Sequence, residues 1–206
     1  MGNTSISIVD FGMGNIASVA NMVRKVGGNA KITGKREEIM AASKLILPGV
    51  GAFDHGVSQL QAIGFFPVIQ EIALKGVPVL GICLGMQLLS KRSEEGHLDG
   101  LALIDAEFKR FSFDNKSSLR IPHVGWNHVS VVKKNPLIPD DGSEQRFYFT
   151  HSYHAVCANE EDVLAKAEYG YRFTAAYSYN NIFGVQFHPE KSHRFGMALI
   201  RRFLEL

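Results

Sequence analysis

Cysteine is nearly missing from this chain: two residues among 206, at positions 83 and 157. Two distant thiols give neither a disulfide framework nor a zinc cluster, and they fit a reducing compartment. Charge of one sign is also missing. The formal net charge is +2, so no strong field points to nucleic acid or a membrane surface. No apolar run reaches the roughly 18 residues of a membrane span. The N-terminus has no basic region followed by an apolar stretch, so no signal peptide is expected and the protein is placed in the cytoplasm. There is no internal repeat, low-complexity tract or domain-dividing linker. What is present is an ordinary globular balance, 46% hydrophobic and 20% charged. The length suits one domain, residues 1–206.

The first part of the chain alternates short apolar runs with amphipathic segments. Ile6 to Val9 reads as a buried strand, Gly12 and Gly14 as a tight turn, and Ile16 to Val26 as a helix closed by Gly27-Gly28. NAKIT is a second strand and KREEIMAAS a second helix; KLILPGVGAF is a third strand, broken by Pro48. The segment HGVSQLQAIGFFPVIQEIALKG gives helical turns interrupted at Gly64 and Pro67. VPVLGI is a fourth strand, followed by a helix over LGMQLLSKR. Such alternation predicts parallel βαβ units in a three-layer α/β sheet. After Gly96 the pattern changes. FKRF, HVSVV, RFYFTHSYHAVC, VLAKAEY, FTAAYSY and IFGVQF are short β-like segments that predict antiparallel strands added to that sheet. SFDNKSS (Ser112–Ser118) is the most loop-like stretch, and HRFGMALIRRFLEL is an amphipathic closing helix.

Three stretches can carry chemistry. In GICLG, Cys83 follows a buried strand and precedes a helix, with Gly81 and Gly85 around it. Reactive groups in open α/β sheets sit at the carboxyl ends of strands, and a helix start favours a thiolate. The letters are the cysteine counterpart of a nucleophile elbow; a buried structural thiol is the competing reading. In FGVQFHPEKS, His188 ends a β-like run and Glu190 stands two residues on, placed to orient the ring and stabilise its protonated form. An exposed turn histidine is the alternative there. In LPGVGAF, two glycines let the backbone turn an N–H towards an oxyanion, with the N–H of Leu84 as the second donor; a plain strand-to-helix turn is the alternative. DFGMGNIAS does not read as a phosphate cradle, because Ala17 stands where G-x-G-x-x-G needs its third glycine. The histidines do not pair with cysteine at zinc spacing. Cys157 reads as a core or sheet-surface thiol.

Together these stretches resemble the class I (triad) glutamine amidotransferases, whose signatures are the cysteine elbow and FHPE. Within that superfamily DFGMGNIASV, LPGVGAF, CLGMQLL, PHVGWN, YFTHSYHA and GVQFHPEKS are similar to the glutaminase subunits of imidazole glycerol phosphate synthase, of histidine biosynthesis. The resemblance implies a flavodoxin-like α/β/α fold with a central, mostly parallel sheet and added antiparallel strands. It implies Cys83 as the nucleophile towards the glutamine side-chain amide, His188 as base and then acid, and Glu190 as its orienting group. Val50 and Leu84 would supply oxyanion N–H groups. Gly51, Gln87, Glu95 and Ser152 would hold L-glutamine. Asn15, in GMGN, and Lys191 would lie where the family meets its partner. That partner is a separate (β/α)8-barrel cyclase, forming a heterodimer and receiving ammonia through a tunnel; no cofactor or metal is implied. A flip of the PGVG strand is the expected switch, with the Val50 N–H turned away in the free subunit. His154 departs from the family, which often has tyrosine there. The segment from Phe173 to Ile200 also looks like paralogues that feed ammonia to a sugar-modifying synthase of surface polysaccharide. A non-catalytic binding module is the third alternative.

Overall fold

The computed structural model describes residues 5–114 and 118–206. Of the SFDNKSS stretch, residues 115–117 therefore lie outside the described residues. The parallel half begins with β1 (Ser5–Val9), α1 (Ile16–Lys25), β2 (Asn29–Thr33), α2 (Arg36–Met40) and β3 (Leu45–Gly49). It continues through α3 (Phe53–Ala62), α4 (Phe66–Leu74), β4 (Val79–Cys83) and α5 (Leu84–Leu89). The strands β5 (Arg92–Ser93), β6 (Ala106–Arg110), β7 (His123–Val131), β8 (Arg146–His151) and β9 (Tyr153–Cys157) follow. The chain closes with β10 (Val163–Tyr169), β11 (Tyr171–Tyr179), β12 (Ile182–Val185) and α6 (His193–Glu205).

These strands make one mixed sheet in the order β2-β1-β3-β4-β12-β11-β10-β7-β8, with β5, β6 and β9 on a branch. Pairing from β2 to β12 is parallel, and from β12 to β8 antiparallel. Alternating side chains feed two cores, as a period of two requires. Ile6, Ile8 and Ile46 pack with Val19 and Val23 of α1 and Leu199 and Phe203 of α6. Val9, Leu45 and Leu47 face the other way, towards Phe53 and Val57 of α3, Ile69 and Ile72 of α4, and Leu84 and Leu88 of α5. Helices thus cover both faces of the parallel half. The connection from β1 runs outward to β2, whereas β3 and β4 lie on the other side, so the order reverses between β1 and β3. Open sheets bind ligands at such a reversal. Gly14 and Gly49 meet there: a Cβ on Gly14 would lie 3.1 Å from the Gly49 Cα.

Three sequence expectations need correction. Pro48 does not break the third strand. β3 continues through Pro48 opposite Ile82 and Gly49 opposite Cys83. Its other neighbour, β1, pairs only as far as Ile46, so on that side a missing N–H costs no ladder bond. The helix after Cys83 is shorter than LGMQLLSKR. The Ser90 hydroxyl folds back on the Gln87 carbonyl at 2.7 Å and the chain leaves in an extended conformation, ending α5 at Leu89. Pro67 stands second in α4, in its first turn, rather than interrupting a helix, where its absent N–H is an orphan in any case. Among the described residues no single helix is long and apolar enough to cross a membrane.

One buried contact ties the two halves. The Tyr177 hydroxyl on β11 donates to the Met86 carbonyl of α5 at 2.5 Å, and Tyr177 is fully buried. Gly184 on β12 makes room for the ring, since a Cβ there would come within 2.5 Å of it. Tyr177→Phe removes the donor and leaves a buried carbonyl, a loss of ~1–3 kcal/mol in unfolding free energy, read from urea denaturation; an unchanged midpoint would dismiss the contact as neutral.

Candidate active site

Cys83 is the last residue of β4 and the first outside α5. Its φ is +53° and its ψ −109°, a conformation that residues with side chains rarely take. The surrounding glycines explain how the chain gets there. A Cβ on Gly85 would lie 1.7 Å from the Leu47 carbonyl oxygen, and one on Gly81 would lie 2.6 Å from the Gly85 oxygen. Only glycine lets α5 begin this close to the sheet. Cys83 is buried. Its sulfur accepts a long hydrogen bond, 3.7 Å, from Nε2 of fully buried Gln186.

His188 comes three residues after β12. Its N–H donates to the Tyr148 carbonyl at 2.9 Å, and its carbonyl accepts the Ser192 hydroxyl at 2.6 Å. That hydroxyl accepts the Tyr148 N–H at 3.0 Å, so the histidine backbone is clamped between β8 and the start of α6. One 3-10 turn, Pro189–Lys191, returns Glu190 to the ring. His188 Nδ1 lies 2.8 Å from Glu190 Oε1, with side chains only 1% and 3% exposed. A carboxylate accepts, so Nδ1 carries the proton and Nε2 is left for chemistry. Nε2 has no hydrogen-bond partner among the described residues. Burial opposes a charge on this ring, but Cys83 and Glu190 outweigh it and push the His188 pKa up to about 10. Sulfur and ring are neighbours without a formed hydrogen bond, a common state for catalytic pairs before substrate arrives.

Val50, Gly51, Cys83, Leu84, Gln87, Glu95, Ser152 and His188 line one cavity of about 300 Å³. Pro122, Thr150, His151 and Tyr153 complete it. The antiparallel half thus supplies the wall facing the elbow. Gly51 has φ +124°. Glu95 is half-buried, and its Oε2 accepts the Phe53 N–H at 3.0 Å. Burial raises the Glu95 pKa above its usual range, against the pull of that N–H, and the Asp54 charge adds to the rise. Gln87 Oε1 and Gln186 Oε1 are buried without hydrogen-bond partners among the described residues. Gln87 Oε1 and His188 Nε2 both belong to residues that line this cavity, and such orphaned polar atoms mark where a ligand's own polar groups belong.

Other expected residues stand elsewhere. Glu190 lies behind His188, bordering a second cavity of about 340 Å³ with Ser18, Asn21, Lys191 and His193. Asn15, at the N-terminus of α1, and Lys191 are exposed and line no part of the first cavity. The Lys191 ammonium sits 5.7 Å over the Tyr148 ring. Cys157 is half-buried, and burial pushes its thiol up to about 12, so it is inert beside Cys83. Two residues escaped the sequence reading. Gln186 was passed over inside a β-like run. Asp54 accepts the His97 N–H at 2.9 Å and the Leu98 N–H at 3.1 Å, locking the loop that carries Glu95. Its only signal was position at the start of α3, where a carboxylate is expected to cap its own helix.

Residues 7–206 match the family described as glutamine amidotransferase class-I. The chain belongs to this family. Among curated relatives it is 48% identical over 202 residues to imidazole glycerol phosphate synthase subunit HisH 2 of Pseudomonas aeruginosa, covering 98% of this chain and 99% of the relative. Over 201 residues it is 47% identical to the protein of the same description from Methanococcus maripaludis, covering 97% and 98%. Subunit HisH of Leptospira interrogans is 42% identical over 203 residues, covering 98% and 100%. Among solved structures, a glutamine amidotransferase matches with TM-score 0.74 over 97% of each chain. The structure of PurLQS from Thermotoga maritima matches with TM-score 0.71, covering 98% of this chain and 96% of that one. Both are 19% identical to it, so they speak to the amidotransferase fold alone.

The raised His188 pKa has a consequence for stability. Between about 6.5, the unfolded value, and about 10 the folded chain binds a proton that the unfolded chain has lost. The group's stabilisation is complete below the first value and lost as pH rises through the second. The stability difference between the wild type and His188→Gln is therefore expected to shrink as pH climbs through that window, measured by chemical denaturation at several pH values; a constant difference would contradict the assignment.

Proposed function

We propose that this chain, as a single amidotransferase domain in the cytoplasm, hydrolyses L-glutamine to glutamate and ammonia and hands the ammonia to a separate (β/α)8-barrel cyclase of histidine biosynthesis. The observation that carries the reading is the convergence of Cys83, at a strained turn, with a His188 ring held by Glu190, in the cavity that also holds Gln87 and Glu95. Nearly full-length identity to proteins named as imidazole glycerol phosphate synthase subunit HisH supports the acceptor pathway.

In this mechanism the Cys83 thiol gives its proton to His188 Nε2 as the sulfur attacks the side-chain amide carbon of glutamine. The carbonyl oxygen becomes an oxyanion, stabilised by the N–H groups of Leu84 and Val50, the latter after a turn of the Gly49–Gly51 segment. The His188 imidazolium gives its Nε2 proton to the departing nitrogen, which leaves as ammonia. A thioester remains. His188, now neutral, takes a proton from water as the water attacks the thioester carbon, and returns it to the sulfur as the C–S bond breaks, giving glutamate and free Cys83. Glu190 holds the ring and stabilises its charged form throughout. Glu95 and Gln87 bind the amino-acid end, with Gly51 and Ser152 completing the pocket. Asn15 and Lys191 belong to the surface that meets the barrel.

Cys83→Ala is expected to abolish glutamine-dependent turnover by the complex while ammonia-dependent turnover continues. Loss of both would reassign Cys83 to structure, and no stimulation of glutamate release by a nucleotide-loaded histidine-pathway barrel would reject the acceptor. Removing the base outright should cost more than loosening it. His188→Ala is expected to lower glutaminase kcat by ~10²–10⁴ and Glu190→Gln by less, compared in steady-state glutamate release; equal losses would undo the division of roles.

A further inference from the structure

Three buried histidines lie outside the proposed triad, beside the wall formed by Thr150, His151, Ser152 and Tyr153: His123 on β7, His151 at the end of β8 and His154 on β9. Two of them form a hydrogen-bonded chain whose direction is fixed from both ends. His151 Nδ1 lies 2.7 Å from the Tyr153 carbonyl oxygen. A carbonyl only accepts, so Nδ1 carries the proton and Nε2 the lone pair. His123 Nδ1 lies 3.0 Å from that Nε2 and therefore donates to it. This leaves His123 Nε2 as an acceptor, and Asn127 Nδ2 reaches it at 3.3 Å. The far end agrees independently. Asn127 Oδ1 accepts the His128 N–H at 2.8 Å, and Asn127 Nδ2 donates to the Glu168 carbonyl at 2.8 Å. Those two contacts orient the amide so that its NH2 is the group offered to His123.

The surroundings exclude charge. His123 stacks on Tyr169 and Phe149 at centroid distances of 4.1 Å and 5.0 Å, and Phe111 meets His151 at 5.2 Å. Burial pushes His123 down to about 4 and His151 down to about 3, the second against the pull of the Tyr153 carbonyl. A proton added to His151 Nε2 would set two N–H groups against each other across 3.0 Å. The chain of bonds is thus neutral and runs one way, from Asn127 to the Tyr153 carbonyl.

Its end point is the cavity wall. His151 holds the carbonyl of Tyr153, and the Ser152 carbonyl accepts the Phe111 N–H at 3.0 Å. His123 and Asn127 line no part of the cavity themselves. We infer that His123 and Asn127 are positioning residues for the glutamine substrate, fixing the Thr150–Tyr153 wall through the His151 ring. The inference rests on the glutaminase reading. It assigns to these two side chains an effect on glutamine binding rather than on the chemical step.

Two measurements test it. Long-range 15N–1H spectra of the imidazoles are expected to show His123 and His151 both as Nδ1–H tautomers across the pH range of the assay. An Nε2–H tautomer at His151 overturns the relay whatever the kinetics give. In the complex with the barrel, His123→Leu is expected to raise the glutamine KM by ~10-fold with a smaller change in kcat. His123→Asn places an amide N–H where the imidazole Nδ1–H stood and is expected to recover most of that loss. Equal KM values for the two variants, or a loss confined to kcat, overturn the positioning role. If the leucine variant does not fold, Asn127→Ala opens only the far end of the relay and is expected to raise KM in the same direction; an unchanged KM overturns the role. A wild-type complex that releases no glutamate rejects the glutaminase reading instead and leaves the relay to be decided by the spectra.

Discussion

The site depends on how closely the backbone of α5 approaches β3. At Gly85 there is no space for even one methyl group beside the Leu47 carbonyl, and Gly81 and Gly49 clear the adjoining contacts with Gly85 and Leu84. The chain can therefore turn from strand to helix within one residue, and that residue is Cys83. Its positive φ costs ~1–3 kcal/mol. The cost is offset by Leu84, Met86, Leu88 and Leu89, all buried, and by the hydroxyl of Tyr177 on the Met86 carbonyl. The proposed nucleophile is thus aimed by backbone geometry and packing.

A second constraint brings the histidine to the cysteine. β12 is the seam of the sheet, parallel to β4 on one side and antiparallel to β11 on the other. Its register sets Val185 opposite Ile82. One step beyond Ile82 is Cys83, and one step beyond Val185 is Gln186, whose amide reaches the sulfur. Two further steps give His188. Residues a hundred positions apart become neighbours because two short strands pair in one register, and a slip of one strand by a single residue would exchange its two faces.

Much of this was legible in the sequence, and the exceptions share a cause. The βα alternation, the elbow glycines and the FHPE turn all rest on local chemistry, which a sequence carries openly. Pro48 was misjudged because its tolerance depends on where β1 stops pairing, a fact of another strand. Gln186 and Asp54 were missed because each acts on a distant segment, the one on Cys83 and the other on the loop holding Glu95. His123 and Asn127 did leave a trace. They stand four apart on a strand, so a period of two puts them on one face. Nothing in the sequence says that the next residue on that face belongs to β8.

The histidines show what the two halves of the site require of each other. His188, His151 and His123 are all buried, yet burial governs only the last two. What separates them is the acceptor each ring meets. His188 faces a carboxylate and a sulfur, both able to bear negative charge, and its proton is held up to about 10. His151 faces a carbonyl dipole and another imidazole, which cannot repay the loss of hydration, and it falls to about 3. In the proposed mechanism the result is one mobile proton beside the reacting carbon and a wall whose hydrogens are fixed. A thioester mechanism needs both. The proton must reach the leaving nitrogen, and the groups that hold the substrate must keep their donors and acceptors unchanged as it does so.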